Sequence, residues 1–302
     1  MAVHRRKLNP ACEVWERFRI VLEMIKFEHT IFALPFAMIS VLICSRDIPH
    51  GYPSIDNLFW ILIALVSARS AAMAFNRIAD ARYDAENPRT ASRAIPAGIL
   101  SLAQVWVFTI TAVLIFELAA SRLNRLCFIL SPLALFALLG YSYTKRFTPL
   151  AHLALGIAIG IAPIGAWVAI TGRISLTSLL LGAVVMLWIG GFDIIYALQD
   201  VDYDCKAGLR SLPQTIGRAP SLDISRFMHL CMVILLIIIG LLSGLHAFYA
   251  LGVCVVAGLI WYEHSLVSPE DISRVNIAFF TLNGWISVSL FFFVLMDRIF
   301  IP

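Results

Sequence analysis

The amino-acid sequence predicts an all-α membrane protein of about nine transmembrane helices, with its N-terminus in the cytoplasm. Three observations predict it. Of 302 residues, 60% are hydrophobic and only 14% are charged, whereas a soluble globular chain is about half apolar and about a quarter charged. The apolar residues lie in runs close to the roughly 20 residues that cross a bilayer as a helix. Lys and Arg are also segregated: with the N-terminus inside, seventeen of the 23 fall on the cytoplasmic side, five on the other, and one, Arg69, within a span. This is the positive-inside bias. It accounts for the net charge of +4 without any nucleic-acid partner, and nothing in the chain points to an obligate protein partner.

The chain opens on MAVHRRKLNPACEVWERFRI, which is basic and too polar for a cleavable signal. Residues 1–20 are therefore expected to remain as a cytoplasmic segment of a single transmembrane domain covering 1–302. The first two spans are expected at about 27–45 and 57–78, and the second leads into a polar stretch at about 79–99. Spans at about 100–120, 124–143, 151–171 and 176–198 follow, with tight links such as Thr171-Gly172-Arg173. A second polar stretch, about 199–227, precedes the last three spans at about 228–246, 248–265 and 275–297. The orientation puts both long stretches in the cytoplasm, and polar loops are where chemistry usually sits. Cys12, Cys44, Cys127, Cys205, Cys231 and Cys254 show no CxxC spacing, so neither a zinc site nor a disulfide framework is expected. No glycine-rich nucleotide fingerprint follows a strand, and no paired intramembrane His suggests haem.

Two acidic constellations carry the chemistry. In AFNRIADARYDAENPRTASRAIPAG, residues 74–98, Asn76, Asp80 and Asp84 fall at i, i+4 and i+8, which stacks them on one helical face. In GGFDIIYALQDVDYDCKAGLRSLPQTIG, residues 190–217, Asp193, Tyr196, Asp200 and Asp204 fall at i, i+3, i+7 and i+11, again on one face. Asp193 lies inside the sixth span, where an acid is costly and a functional candidate by default. Like charges at this spacing repel, so two ladders at one membrane surface make sense if divalent cations neutralise them. Hard cations favour such oxygen clusters, and Mg²⁺ completes its shell with water and phosphate. Glu86, Asp202 and Asp223 are read as solvated loop charges.

Asn76-x3-Asp80-x3-Asp84 followed by Arg89-Thr90 and Arg93-Ala94-Ile95-Pro96-Ala97-Gly98 resembles the first signature of the UbiA prenyltransferase superfamily. Asp193-x2-Tyr196-Ala197-x-Gln199-Asp200-x3-Asp204-x-Lys206-x-Gly208 resembles the second, in its 4-hydroxybenzoate polyprenyltransferase form. Tyr141-x3-Lys145-Arg146 resembles a third motif, and the likeness runs from about residue 20 onward. Two features depart from it. Asn76-Arg77 stands where many members have Asn-Asp, and KFEHTIFALPFA looks more like a branch found in bacteria making menaquinone by the futalosine route.

The resemblance implies a UbiA-type bundle in a bacterial inner membrane, multi-pass, with its active site facing the cytoplasm. It implies Mg²⁺-dependent transfer of a polyprenyl group from polyprenyl diphosphate to an aromatic acid, in respiratory quinone synthesis. The leading acceptor is 4-hydroxybenzoate and the alternative a naphthoate-type acceptor. Two Mg²⁺ ions are expected, one held by Asn76, Asp80 and Asp84, the other by Asp200 and Asp204. Lys145 and Lys206, with Arg89 and Arg93, would contact the diphosphate. Arg146 and Tyr141 would face the acceptor, Arg146 on its carboxylate. Asp193, Asp200 and Lys145 form the catalytic set. Asp193 would orient the acceptor hydroxyl or take its proton; the competing reading is a structural acid bonded to Tyr141 or Tyr196. An apolar channel would take the isoprenoid tail, with Tyr141 and Phe75 as aromatic shields. Gly156, Gly160 and Gly165 are read chiefly as close helix packing. His29, beside Glu28, is either a site residue or half of an interfacial pair. In a different class, an ion-coupled transporter would also carry intramembrane acids, but near the bilayer midplane rather than clustered at one surface.

Overall fold

The structure, a computed structural model, describes residues 19–25, 30–48 and 51–301. Most of the basic N-terminal segment, Lys26 and the Glu28-His29 pair lie outside them. Among the described residues the fold is helical with no strand. A helical stretch over 19–24 is followed by α1 (Thr30–Cys44), α2 (Ile55–Ala79), α3 (Ala81–Glu86), α4 (Leu102–Leu123) and α5 (Arg125–Gly140). A 3₁₀ turn, Tyr141–Arg146, leads to α6 (Ala151–Thr171), α7 (Leu176–Ala197), α8 (Val201–Ala207), α9 (Leu212–Ile216), α10 (Arg218–Leu242) and α11 (Ala247–Ser265). A π-helical turn, Ile277–Leu282, opens α12 (Asn283–Phe300). Eight of these segments are long and apolar enough to cross a membrane, and the shorter α1 is apolar too.

The helix starts follow from capping chemistry. Ser54 accepts from the Asn57 N–H, and Ser101 and Ser175 form capping boxes with Gln104 and Ser178, satisfying N–H groups that lack helical partners. α6 ends where Gly172 takes φ 67°, a left-handed conformation that glycine adopts without steric cost.

The expected span boundaries hold to a few residues except in one place. The seventh span begins at Arg218, not near 228, because its first turns are polar and apolar runs mark only the part in lipid. Ser225 pins those turns by donating to the Gly191 carbonyl at 2.7 Å. The stretch 199–227 is thus largely helical, and 79–99 contains α3.

α7 is the central helix, burying Leu181, Val184, Trp188, Ile189, Ile194 and Ile195. Helices in a bilayer associate through close packing rather than a hydrophobic driving force, and glycines supply it here. A Cβ on Gly160 would meet the Gly182 carbonyl oxygen at 2.6 Å, and one on Gly156 would strike that of Met186. Gly165 has open space instead and lines a cavity. At the end of the bundle away from the acidic ladders, Arg46 donates to the Ser243 and Gly244 carbonyls at 2.9 and 2.8 Å. The fully buried Asp297 accepts from the backbone N–H groups of His246 and Tyr249, capping α11 from α12.

Candidate active site

Both acidic ladders are built the same way. α2 ends at Ala79, Asp80 takes φ −96° and ψ 5°, and α3 restarts. α7 ends at Ala197, and after a turn Asp200 takes φ −103° and ψ 1° before α8. Both aspartates sit in the bridge region, where many active-site residues are found. In the first ladder the Asp80 N–H still donates to the Asn76 carbonyl, four residues back, at 2.9 Å, whereas in the second a tighter turn takes the Asp200 N–H to the Ala197 carbonyl, three residues back, at 3.0 Å. The Asp84 N–H donates to the Asp80 carbonyl at 2.8 Å, and the Asp204 N–H to that of Asp200 at 2.7 Å. Each ladder bends over its span end, and its residues still line one cavity.

The ladders face one another across a cavity of about 300 Å³. Asn76, Asp80, Asp84, Arg89, Arg93, Tyr141, Lys145, Arg146, Asp193, Asp200 and Asp204 all line it. Arginines partner the carboxylates. Arg89 clamps Asp200 with Nε on Oδ1 at 2.9 Å and Nη2 on Oδ2 at 2.7 Å, and its Nη1 donates to the Tyr196 hydroxyl at 3.0 Å. Arg93 binds Asp84 at 2.6 Å. The Asn76 amide donates to Asp80 at 2.9 Å, and Ser211 donates to Asp204 at 2.9 Å. Lys145 faces Asp193, Asp204, Asp200 and Asp80.

Electrostatics show what these groups lack. Burial, then the neighbouring Asp84 carboxylate, pushes the Asp80 carboxyl above the ordinary carboxylate range. Burial likewise raises Asp204, against the pull of Lys145 and the Ser211 hydrogen bond. Burial opposes the charge on Arg89, yet its bond to Asp200 and the carboxylate's field hold it more firmly protonated than usual.

Among the described residues no three His, Cys, Asp or Glu converge into a ready metal cage. Mg²⁺ does not need one: it takes one or two carboxylates and fills its shell with water and substrate phosphate. Asp84 Oδ2 is a buried acceptor without a hydrogen-bond donor; its ion-pair neighbour Arg77 stands 3.8 Å away. A buried, unmatched oxygen amid all-oxygen donors at a polar cavity suits a hard divalent cation.

Three expectations change. Lys206 is exposed and does not line the cavity. It sits two residues after Asp204 on α8, and that offset turns it away from the ladder's face. Phe75 is not a cavity wall either; it packs edge-on against Trp106 and Tyr143 at 5.8 and 5.9 Å. Asp193 bonds to neither Tyr141 nor Tyr196 but to His152, whose Nδ1 lies 2.6 Å from its Oδ2. Arg146 does line the cavity, a third exposed, over the Tyr143 ring and donating to the Ala79 carbonyl.

Sequence reasoning missed three residues. His152 had no motif signal, because its contact spans 41 positions. Arg77, noted as a departure, is buried beside Asp84. Arg69, tallied only as a charge within a span, lies where the polar cavity meets a second cavity of about 370 Å³ walled by apolar side chains. The two cavities share Ala33, Arg69, Met73, Tyr141, Leu155 and Ile159.

Known proteins match over most of the chain. The model of the UbiA prenyltransferase family matches residues 33–286. The 4-hydroxybenzoate octaprenyltransferase of Nitrosospira multiformis is 30% identical over 248 residues, covering 82% of this chain and 85% of that protein. The apo structure of a UbiA homologue from Aeropyrum pernix K1 superposes with a TM-score of 0.81 at 35% identity, covering 89% of this chain and 98% of that one. A UbiA homologue from Archaeoglobus fulgidus bound to GPP and Mg²⁺ shares the fold, with a TM-score of 0.70 at 17% identity, covering 92% and 99%.

Proposed function

The chain belongs to the UbiA prenyltransferase family, and from that premise we propose that it transfers a polyprenyl group from its diphosphate to an aromatic acid. The acceptor is 4-hydroxybenzoate, and the reaction runs at the cytoplasmic face of a bacterial inner membrane, in respiratory quinone synthesis. The observation that carries this reading is the adjacency of the two cavities: a carboxylate- and arginine-lined chamber lies against an apolar one, with six lining residues in common. That is the shape of a diphosphate with an isoprenoid tail.

Asn76, Asp80 and Asp84 would hold one Mg²⁺, and Asp200 and Asp204 a second. Bound there, Mg²⁺ supplies charge neutralisation of the diphosphate and of the negative charge that grows on it as it leaves. Arg89 and Arg93, paired with Asp200 and Asp84 in the metal-free protein, would be the cations released to the diphosphate once those carboxylates held Mg²⁺. Lys145 stays at the cavity as a further cation. The reacting carbon lies at the junction of the chambers, and Tyr141 lines both sides of it, placed to shield an allylic cation. Arg146, which lines the polar chamber, binds the acceptor carboxylate, and Arg69 adds positive charge at the junction.

Asp193 takes the acceptor's hydroxyl proton as the ring carbon beside it bonds to the allylic carbon. The allylic C–O bond breaks with its electron pair leaving on the diphosphate. The alkylated ring carbon then loses its proton to a diphosphate oxygen, and Asp193 returns the first proton to the ring oxygen as aromaticity is restored.

Purified protein in detergent, given labelled polyprenyl diphosphate and Mg²⁺, is expected to prenylate 4-hydroxybenzoate and to stop on EDTA addition. Transfer to a carboxylated naphthol instead would move the acceptor to the naphthoate class, the choice the KFEHTIFALPFA segment favours. No transfer to either, with no Mg²⁺-dependent binding of prenyl diphosphate, would overturn the reading and bring back ion-coupled transport.

A further inference from the structure

His152 and Asp193 belong to neighbouring helices, α6 and α7, that approach closely at their cavity ends. A Cβ on Gly190 would meet the Met228 methyl at 2.6 Å and the His152 carbonyl at 3.3 Å, so the bare glycine leaves room where the helices meet. His152 is fully buried, while the Asp193 side chain keeps 18% of its surface exposed and lines the cavity. His152 Nδ1 is 2.6 Å from Asp193 Oδ2, and the backbone N–H of Leu212 points at His152 Nε2 at 3.4 Å.

These two contacts fix the proton on the ring. A backbone amide can only donate, so Nε2 is the acceptor and Nδ1 carries the hydrogen, which goes to Asp193. With Oδ2 held from behind, Oδ1 is the oxygen left to meet a ligand. The charged and titratable groups facing Asp193 are His152, Lys145 and Tyr141.

We propose that His152 is a positioning residue for the acceptor. Locked in one tautomer by Leu212, it fixes the orientation of Asp193 so that the free oxygen accepts the acceptor's hydroxyl proton. The proposal rests on the role given above to Asp193. The same loop reaches the second acidic ladder: Ser211, next to Leu212, donates to Asp204 at 2.9 Å. The acceptor acid is therefore tied to the segment that holds the diphosphate's metal ligands, and no motif in the sequence marks that tie.

The test compares wild type, His152→Ala, His152→Asn and Asp193→Asn, each reconstituted with Mg²⁺ and a prenyl diphosphate. Acceptors are 4-hydroxybenzoate and its 3-fluoro analogue, whose hydroxyl is more acidic. His152→Ala is expected to lower kcat about 10- to 100-fold, the usual range for losing the partner that orients a working ligand. Prenyl diphosphate affinity should stay within about threefold, since uniform binding is untouched. His152→Asn, which keeps a donor near the Nδ1 position, should recover much of the loss. Relative to wild type, His152→Ala should suffer less with the fluorinated acceptor, which gives up its proton more readily.

A merely structural role would lower both acceptors alike, weaken prenyl diphosphate binding and gain nothing from Asn; that pattern overturns the proposal. If His152→Ala does not fold, His152→Asn alone decides: near-normal kcat supports the positioning role, and a loss like that of Asp193→Asn refutes it. Full activity in Asp193→Asn would instead sink the reading of Asp193. Loss in Asp193→Asn with none in His152→Ala would sink only the role of His152.

Discussion

The Arg89–Asp200 clamp makes an unusual prediction: removing a conspicuous ion pair should tighten metal binding. In the structure Asp200 is held by two charge-assisted hydrogen bonds, at 2.9 and 2.7 Å. Such bonds contribute about 1.5–3 kcal/mol each when well shielded. Arg89 keeps 34% of its side-chain surface exposed against 10% for Asp200, so solvent screening discounts the pair to about 2 kcal/mol. A cation that takes Asp200 must first displace the guanidinium and give up that energy. Arg89→Ala removes the competitor, and at 1.4 kcal/mol per factor of ten Mg²⁺ alone should bind about 30-fold more tightly. The assay is thermal unfolding of the detergent-purified protein against MgCl₂ concentration, without substrate. Arg89→Ala should melt lower in EDTA, because Asp200 loses its counter-ion, yet reach its Mg²⁺-stabilised plateau at a far lower concentration. Prenyl diphosphate binding should weaken in the same variant, since the guanidinium proposed to bind the diphosphate is gone. A Mg²⁺ midpoint unchanged or raised in Arg89→Ala would refute the exchange of arginine for metal at Asp200.

Three further predictions concern pH, the fold and the tail. Asp80 and Asp204 have folded-state values raised above the ordinary 3.8, so the folded protein holds their protons more tightly than the unfolded chain. Their contribution is fully present below that ordinary value and is lost as pH rises through the raised ones; metal-free melting temperature should fall over that interval, and saturating Mg²⁺ should flatten the fall. Asp297→Ala leaves the His246 and Tyr249 N–H groups at the start of α11 without their buried acceptor, which should cost about 1–3 kcal/mol of stability, read by denaturant unfolding, while leaving kcat of the folded fraction unchanged. Ala120→Phe or Ala134→Phe would fill part of the apolar cavity those alanines line; product analysis should show activity kept with short prenyl diphosphates and lost with long ones.

Much of this architecture was legible because it repeats at helical spacing. The i, i+4 carboxylates announced both ladders, and the apolar runs announced the spans. Less visible was what tertiary contact decides. The bridge-region turns at Asp80 and Asp200 leave the i, i+4 pattern intact, so spacing cannot report them. Lys206 matched a motif by position, but two residues along α8 from Asp204 it points away. Lys145, from a separate turn, supplies cationic charge to the same cavity. His152 was silent because its partner lies on another helix, and its role depends on Leu212, sixty residues away. The early start of α10 was hidden because hydropathy marks lipid contact, not helix length.

The central claim is that two separate ladders hold one metal–diphosphate unit between them. The most direct test is Mg²⁺-dependent binding of a labelled prenyl diphosphate to wild type, Asp84→Asn, Asp200→Asn and the double variant, by equilibrium filtration in detergent. The account predicts that each single change abolishes most of the binding and that the double is little worse, the non-additivity expected of groups acting on one ligand. Wild-type affinity in either single variant, or losses that simply add, would contradict it.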